Sequence, residues 1–530
     1  MGRTAAPAQF IAVCLDCAAV STVIYMDITS FVYLIFVAVS LAIYWIMPKG
    51  RQWFVLLADS LIFYFINAKL HAFLYLLISV ITVWLATNYF AGSSGQRKKK
   101  IVLIGTVALN MGMLAVPKGT NLAIYAMNFI LDRTGGAHIA AVSWMAALGI
   151  SFYILQIVAY LLDAYWGVTE IERNPAKLLL FTCYFPLMIS GPINTHDSLH
   201  PQLFAEHRFN YDDVTHGMKR IAWGLIKKNA ISNRLAIIVN DLWDSINATN
   251  GVLTWVAVIG YVFQLYTDFS GCMDIVIGVS ECFGIRLAEN FKAPLLAKTT
   301  QEFWQRWHIT LGRWLRDYIM NPLLKSSFMI DLGGKAKKKF GKKRGKKVPV
   351  YLSMLAVWFV MGAWHGGSWK YVMEGLWFWV VLVLSQMLEP TFKGWKAALK
   401  VRDGLIWKIY QVIRTNLIYA VGVLFFRAAS TRDALLRIKQ STGMNVDLQI
   451  IKSILENAAH IFGKSGCFLS IIAFIMLFIY DLYLYRGIDL IVKISEKNFA
   501  IRWTLYALVI FIICTSYNNV SGEAFVYAHF

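Results

Sequence analysis

Long apolar segments recur along the whole chain, and short polar stretches separate them. A helix that crosses the hydrocarbon core of a membrane needs about 20 mostly apolar residues. Backbone groups surrounded by lipid must be hydrogen-bonded within their own segment, so we expect each segment to be helical. The pattern predicts about 11–13 membrane-spanning helices. The predicted spans are residues 30–47, 53–68, 71–90, 101–116, 140–165, 177–192, 252–267, 349–364, 370–388, 406–426, 467–485 and 503–517, with less regular candidates at 121–131, 234–245 and 271–284.

Two further segments fit neither a lipid-facing span nor a loop. In residues 209–233, bases and apolar residues alternate at helical spacing, which predicts a helix lying in the membrane interface. Residues 299–324 combine five bulky aromatic residues, three arginines and His308. We expect that segment to form an interfacial or re-entrant helix packed against protein. The predicted fold class is therefore all-α, a polytopic transmembrane helical bundle with re-entrant or interfacial helices.

Composition and charge fit a membrane body and assign its two sides. Hydrophobic residues make up 58% of the chain and charged residues 15%, whereas a soluble chain carries roughly a quarter charged residues. The net charge of +21 is concentrated beside apolar runs, in residues 91–100 and 325–347. Cytosolic loops of membrane proteins carry such an excess of Lys and Arg. Both segments are therefore predicted to face the cytosol, and nucleic acid is not the expected partner.

The chain is expected to contain one large membrane domain. Residues 26–530 are assigned to it, with a catalytic core at about 140–390. Residues 1–25 carry an apolar run interrupted by Asp16, which indicates an extra span or a signal-like extension. We expect residues 325–347 to be a solvated Gly/Lys-rich connector, with contact to anionic lipid or an acidic partner as the alternative. The seven cysteines show no paired metal motif, so no bound metal or disulfide framework is expected.

Placing an ionisable side chain inside a membrane has a high cost in desolvation free energy, so such a residue is expected to have a structural or functional role. Asp268 and Asp274 lie in an apolar stretch, and Ser270-Gly271 is expected to break the helix between them. Both carboxylates could pair within the bundle or line a functional site. His308 lies among Arg306, Arg313, Arg316 and Asp317, which is compatible with a structural role or with the wall of a polar cavity.

His365 ends a predicted apolar helix that begins near Pro349, and Gly-Gly-Ser follows it. An imidazole can accept a proton near neutral pH, as a general base must. The apolar run from Val350 to Trp364 rises roughly 22 Å at about 1.5 Å per residue. Because the hydrocarbon core is about 30 Å thick, His365 is predicted to lie beyond the middle of the membrane, toward the outer face.

Together these segments resemble the membrane-bound O-acyltransferase family, in its bacterial branch that acetylates alginate. The matching motifs run in order through almost the whole chain, and the densest is Glu302-Phe-Trp-Gln-Arg-Trp-His308-Ile-Thr-Leu-Gly-Arg-Trp-Leu-Arg-Asp317-Tyr318. One departure is Asn194-Thr-His196 after Gly-Pro-Ile, where a charged residue is expected. The other matching segments are residues 149–153, 163–167, 185–193, 263–271, 289–291, 362–369, 425–428 and 525–530.

The resemblance implies that His365 is the essential catalytic histidine and that His308 is the second signature residue. It implies a tunnel that joins a cytosolic thioester donor to a hydroxyl acceptor on the outer face, and His308 is the first candidate to stabilise the oxyanion. Residues expected to line or support the tunnel are Asp268, Ser270, Asn290, Trp304, Arg306, Trp307, Asp317 and Trp364.

The resemblance also implies the surroundings of the reaction. The expected donor is acetyl-CoA or a carrier-protein thioester, used as a substrate, and no bound cofactor is expected. The expected partners are membrane lipid, an extracytoplasmic SGNH-like acyltransferase and a cell-surface polysaccharide, in the plasma membrane of a bacterium.

Two other classes of protein compete with an acyltransferase. A secondary transporter or flippase would use intramembrane Asp268, Asp274, Glu374 and Arg427 as ion or substrate sites. A non-catalytic membrane scaffold is the other class. The sequence shows no internal repeat of the kind common in transporters, and the ordered motifs favour the acyltransferase.

Overall fold

Helices make up almost all the regular structure of the computed structural model, which describes residues 26–142, 148–245, 251–443 and 446–517. No strand occurs within those ranges. In the part of the chain that the structure describes, eight helices are long and apolar enough to cross a membrane, and three shorter apolar helices accompany them. The all-α, polytopic prediction is thus confirmed. The predicted extension at 1–25 and the motif at 525–530 lie outside the described residues.

The first four helices follow one another along the chain, and the fourth is longer than predicted. The fourth helix contains both 101–116 and 121–131, which were expected to be separate, and Pro117 lies within it. The polar residues that interrupt the apolar pattern there include Lys118, which is turned into the protein rather than marking a loop. These helices are α1 (Phe31–Ile46), α2 (Gln52–Asn67), α3 (Leu70–Gly92) and α4 (Gln96–Thr134).

The next segment turns back inside the body. Helix α5 (Ile150–Trp166) is buried along most of its length, while α6 (Pro175–Cys183) has only nine residues. The predicted span 177–192 is therefore wrong. The chain leaves the helix at Tyr184, and a short 3₁₀ turn at Phe185–Leu187 follows. The amide of Phe185 donates to Ser60 Oγ at 3.0 Å, so this turn is held by a side chain rather than by a continuing helix.

The basic segment expected in the membrane interface is instead part of the core. Helix α7 (His196–Phe204) precedes a continuous rod built from α8 (Tyr211–Leu225), a π-helical stretch (Ile226–Ser232) and α9 (Asn233–Ser245). The rod packs along α10 (Gly251–Cys282). Lys227 and Lys228 are both 3% exposed, so the bases point inward, and the interfacial prediction is wrong.

Glycines explain why α8 and α10 lie so close together. A Cβ added to Gly224 would lie 2.6 Å from the carbonyl oxygen of Gly271, and one on Gly278 would lie 2.6 Å from that of Gly217. The backbones are therefore in direct contact, as small residues allow in membrane helices. The helix break expected at Ser270-Gly271 is also wrong. Gly271 admits the neighbouring backbone while α10 continues, which merges the predicted spans 252–267 and 271–284.

Residues 299–324 pack against protein as expected, but they form a broken chain of short helices rather than one. The breaks at Trp307–His308 and at a π turn (Arg316–Met320) redirect the segment within the body. The helices are α11 (Thr300–Arg306), α12 (Ile309–Leu315) and α13 (Asn321–Leu324).

The basic segment 325–347 is mainly helical, so the loop prediction is wrong. Helix α14 (Ser327–Gly345) starts where Ser326 Oγ accepts the amide of Met329, and it bends at Gly341. Lysine is a good helix former, and most of the lysines on α14 remain exposed.

Three apolar helices follow α14 and build the remaining wall of the body. The prediction of a helix from near Pro349 to His365 is confirmed by α15 (Val348–His365). Helix α16 (Trp369–Ala398) returns beside α15, and α17 (Leu405–Arg427) packs on α16. The last helices are α18 (Thr431–Gln440), α19 (Leu448–Tyr485), α20 (Leu490–Ser495) and α21 (Phe499–Tyr517).

The path of the chain predicts which positions are reachable from outside the cell. Three successive crossings, α15, α16 and α17, separate Lys338 on α14 from Thr442 after α18. With the basic face cytosolic, Lys338→Cys in a cysteine-free background is expected to resist a membrane-impermeant maleimide in intact cells. The matched Thr442→Cys variant is expected to react. Labelling at position 338 together with protection at position 442 would show that the chain has the opposite orientation in the membrane.

Candidate active site

The two histidines singled out in the sequence line one cavity of about 490 Å³. His308 comes from the turn before α12 and His365 from the end of α15. A cavity of this size is within the range of small-molecule and cofactor sites. Other lining residues are Trp304, Trp307, Arg313, Arg316, Met320, Val350, Trp358, Glu374, Gln386 and Tyr419.

His365 lies where α15 ends and the chain reverses into α16. The side chain is buried, and its Nδ1 lies 3.3 Å from Oε2 of Glu374 on α16. The ring packs edge-on to Phe426, with 5.4 Å between centroids. Close backbone contact makes this possible, because a Cβ on Gly362 would lie 2.4 Å from the carbonyl oxygen of Tyr371. The imidazole is therefore held between two tightly packed helices.

Lys118 supports the same helix end, and sequence reasoning missed it. Its Nζ donates to the carbonyl oxygen of Trp364 at 2.5 Å and to Ser151 Oγ at 3.2 Å. A cation is favourable beside the last carbonyls of a helix. In the sequence, Lys118 stands between two apolar runs, and this pattern is equally typical of a loop that joins two spans.

His308 adopts a left-handed backbone conformation, with φ 46° and ψ 49°. Such a conformation is costly for a residue other than glycine and persists only where neighbours enforce it. Asn290 does so through its backbone and side chain. Its carbonyl oxygen accepts from Ile309 N at 3.0 Å, and its Oδ1 accepts from Thr310 N at 3.1 Å and Thr310 Oγ1 at 3.0 Å.

The same amide oxygen indicates the tautomer of His308. Nδ1 of His308 lies 3.4 Å from Oδ1 of Asn290, an oxygen whose identity is fixed by the amide hydrogen it accepts from Thr310. Nδ1 is then the protonated nitrogen of a neutral ring, and Nε2 carries the lone pair. Donation from Nε2 to an oxyanion would need a buried imidazolium, which is costly without a counter-charge.

Aromatic rings surround both histidines. The ring centroid of Trp364 lies 6.0 Å from that of His308 and 5.4 Å from that of His365, so the indole packs against both histidines. Trp304 and Trp307 line the cavity on the side of Tyr419. The structure therefore places these three predicted tryptophans around the cavity.

Arg306 and Asp317 are among the predicted site residues that the structure places outside this lining. Arg306 donates to Glu302 at 3.0 Å and to the carbonyl oxygen of Lys292 at 3.0 Å. Asp317 pairs with Arg316 at 3.0 Å. The contacts of Arg306 and Asp317 are therefore made outside the cavity lining.

Asp268 and Ser270 also lie away from the histidine cavity. Asp268 pairs with Lys228, and Asp274 pairs with Lys227 at 2.7 Å. Ser270 lines a smaller cavity of about 260 Å³, which Asn290 also lines. The carboxylates therefore pair within the bundle, which was one of the two readings the sequence left open. This pairing engages two of the four residues, Asp268 and Asp274, that a transporter would use as ion or substrate sites.

Arg220 extends this group of buried charges. It contacts Asp274 at 3.2 Å and Glu289 at 2.6 Å. Since Arg220 is on α8 and Asp274 is on α10, the network binds the two helices where their glycines meet. Within the described residues, no group of three or more His, Cys, Asp or Glu side chains could hold a metal ion.

Comparison with known proteins identifies the class. Residues 137–335 match the profile of the membrane-bound O-acyltransferase family. A protein named probable alginate O-acetylase AlgI from Pseudomonas putida is 32% identical over 361 residues, which cover 67% of this chain and 69% of that protein. The peptidoglycan O-acetyltransferase of Helicobacter pylori is 29% identical over 424 residues, 74% of each chain.

A more distant similarity reaches the teichoic acid D-alanyltransferase of Bacillus subtilis, which is 29% identical over 253 residues, 47% of this chain and 61% of that protein. The chain belongs to the membrane-bound O-acyltransferase family. It is a multi-pass membrane protein and an O-acyltransferase.

The contacts of Lys118 predict that it stabilises the site. Lys118→Met keeps an apolar chain of similar length but removes the cation from Trp364 and Ser151. Hydrogen bonds to charged groups contribute about 1.5–3 kcal/mol, so a lower melting temperature in detergent is expected. Lys100→Met, at an exposed position of α4, is the matched control. Equal melting temperatures for the two variants would contradict the role of Lys118.

Proposed function

We propose that this chain transfers an acyl group, acetyl in particular, from a cytosolic thioester to a hydroxyl of an extracytoplasmic acceptor. The observation that carries the proposal is the convergence of His308 and His365 on one cavity, in a chain of the acyltransferase family. Each ring has its Nδ1 beside an acceptor oxygen. In both, Nε2 is the nitrogen suited to receive a proton.

In the proposed reaction, Nε2 of His365 takes the proton of the acceptor hydroxyl as its oxygen attacks the thioester carbonyl. The C–O bond forms and the C–S bond breaks. The proton then passes from His365 to the departing thiolate, so the products are an oxygen ester and a free thiol. General-base catalysis of this kind supplies about 10²–10⁴-fold.

For His308 we propose a role in holding the acceptor. Its neutral tautomer offers a lone pair at Nε2, which can accept a hydrogen bond from a second, non-reacting hydroxyl of the acceptor and so orient the reacting hydroxyl toward His365. This revises the expectation that His308 donates to the oxyanion. Orientation of two reactants is a large part of catalysis, and small misplacements are costly.

The donor is proposed to enter at the end of the cavity lined by Arg313, Arg316 and Val350. Val350 is close to the start of α15, which follows the basic helix predicted to be cytosolic. Arginine suits phosphate recognition because its planar fork can form paired hydrogen bonds. Coenzyme A and a carrier's phosphopantetheine both supply phosphate and a thioester, and both stay candidates.

The acceptor is proposed to be a bacterial cell-surface polysaccharide, reached directly or through a relay protein. The names of similar proteins refer to alginate, peptidoglycan and teichoic acid. An extracytoplasmic acyltransferase of the SGNH type is the proposed partner, and the plasma membrane is the proposed location.

The first test removes the proposed base. His365→Gln keeps a polar side chain but cannot take up a proton near neutral pH, so acetyl transfer from a radiolabelled thioester in reconstituted vesicles should be abolished. His460→Gln, at an exposed histidine, should match the wild type. The melting temperature of each variant shows whether the variant is folded. Retained turnover in His365→Gln would reassign the imidazole to positioning.

The second test concerns His308. His308→Asn suits the left-handed backbone, which Asn tolerates, but it removes the imidazole. Because a misplaced hydroxyl costs about 10²-fold, kcat should fall by about that factor while the melting temperature stays near that of the wild type. Turnover at the wild-type level would return His308 to a structural role.

A further inference from the structure

Glu374 is a buried carboxylate beside the proposed base. It lies on α16 with 4% of its surface exposed, and it lines the same cavity as His308 and His365. Its Oε2 is 3.3 Å from Nδ1 of His365, which is itself 4% exposed. Burying a carboxylate in an apolar helix carries a large desolvation cost. A residue at such a position needs a compensating partner, and the imidazole is placed to be one.

The backbone fixes Glu374 against the end of α15. A Cβ on Gly375 would lie 2.2 Å from the carbonyl oxygen of Trp358, and one on Gly362 would lie 2.4 Å from that of Tyr371. These two close approaches bring α15 and α16 together next to the Glu374–His365 contact. The contact is thus set by helix packing and does not depend on a flexible loop.

Other charged groups near this pair are directed elsewhere. Lys118 on α4 donates to the carbonyl oxygen of Trp364, and Lys370 on α16 donates to that of Ala428 at 2.7 Å. Arg427 on α17 bonds Asn240. His308 faces the cavity from the re-entrant segment. None of these contacts places a cation on Glu374, whereas His365 lies within ion-pair distance of it.

We propose that Glu374 is the positioning residue for His365. Its carboxylate, at ion-pair distance from Nδ1, draws the ring hydrogen to that nitrogen, which favours the tautomer with a lone pair at Nε2 and directs that nitrogen toward the cavity. When Nε2 takes the hydroxyl proton, the carboxylate also balances the positive charge of the imidazolium. A carboxylate has these two roles for the histidine of hydrolytic triads. The inference rests on the proposed acyl transfer.

The test replaces the charge and keeps the shape. Glu374→Gln should lower kcat for acetyl transfer by about 10²–10⁴-fold, the range that general-base catalysis supplies, while KM for the thioester and the melting temperature stay near those of the wild type. Glu374→Asp retains the carboxylate and should recover part of kcat. Glu389→Gln, at an exposed glutamate of the same helix paired with Lys393, is the matched control and should leave kcat unchanged.

A second readout does not depend on activity. In protein labelled with ¹⁵N-histidine, the signal assigned to His365 by its loss in His365→Gln should report a protonated Nδ1 in the wild type and a changed tautomer balance in Glu374→Gln. Wild-type kcat in Glu374→Gln, or an unchanged tautomer signal, would overturn the inference. Absence of transfer by the wild type would instead overturn the proposed function, and the ¹⁵N signal would still decide the role of Glu374.

Discussion

Burying charge in an apolar body requires a partner for it, and this constraint organises both the scaffold and the candidate site. Arg220 and Lys227 on the rod bind Asp274 on α10, where glycines bring the two backbones into contact. Such buried pairs contribute little net stability, but removing one partner is strongly destabilising. The network therefore specifies one arrangement of α8 and α10, and Phe269 of α10 packs edge-on against the ring of His308.

The same constraint acts differently at the histidine cavity. There Lys118 donates a hydrogen bond to the end of α15, and the amide oxygen of Asn290 lies beside Nδ1 of His308. The carboxylate of Glu374 lies beside Nδ1 of His365. Each contact places a charged or polar group beside a side chain or helix end of the candidate site. The cavity holds His308, His365 and Glu374 among walls that are mostly aliphatic and aromatic, and surroundings of low polarity strengthen electrostatic interactions.

Sequence patterns predicted what depends on local hydrophobicity. The helix from Val348 to His365 was expected because its apolar run and its proline mark the start and length of a span. The inward orientation of the bases near Lys227 was not predicted. A basic helix face has the same periodicity whether it contacts lipid headgroups or buried carboxylates, so the sequence alone cannot distinguish the two. Gly271 shows the same limit, because a glycine that breaks a helix and one that admits a neighbouring backbone look alike in sequence. Both histidines were found through ordered motifs, whereas Lys118 became visible only through its contact with Trp364.

The central claim is that a thioester reaches His365 inside the cavity. The most direct measurement is a cryo-electron microscopy structure of the chain with a non-hydrolysable ketone analogue of acetyl-CoA. We predict that the carbonyl carbon of the analogue lies between His308 and His365, with its phosphates toward Arg313 and Arg316. An analogue bound in the smaller cavity beside Arg220, with the histidine cavity closed to it, would contradict this prediction.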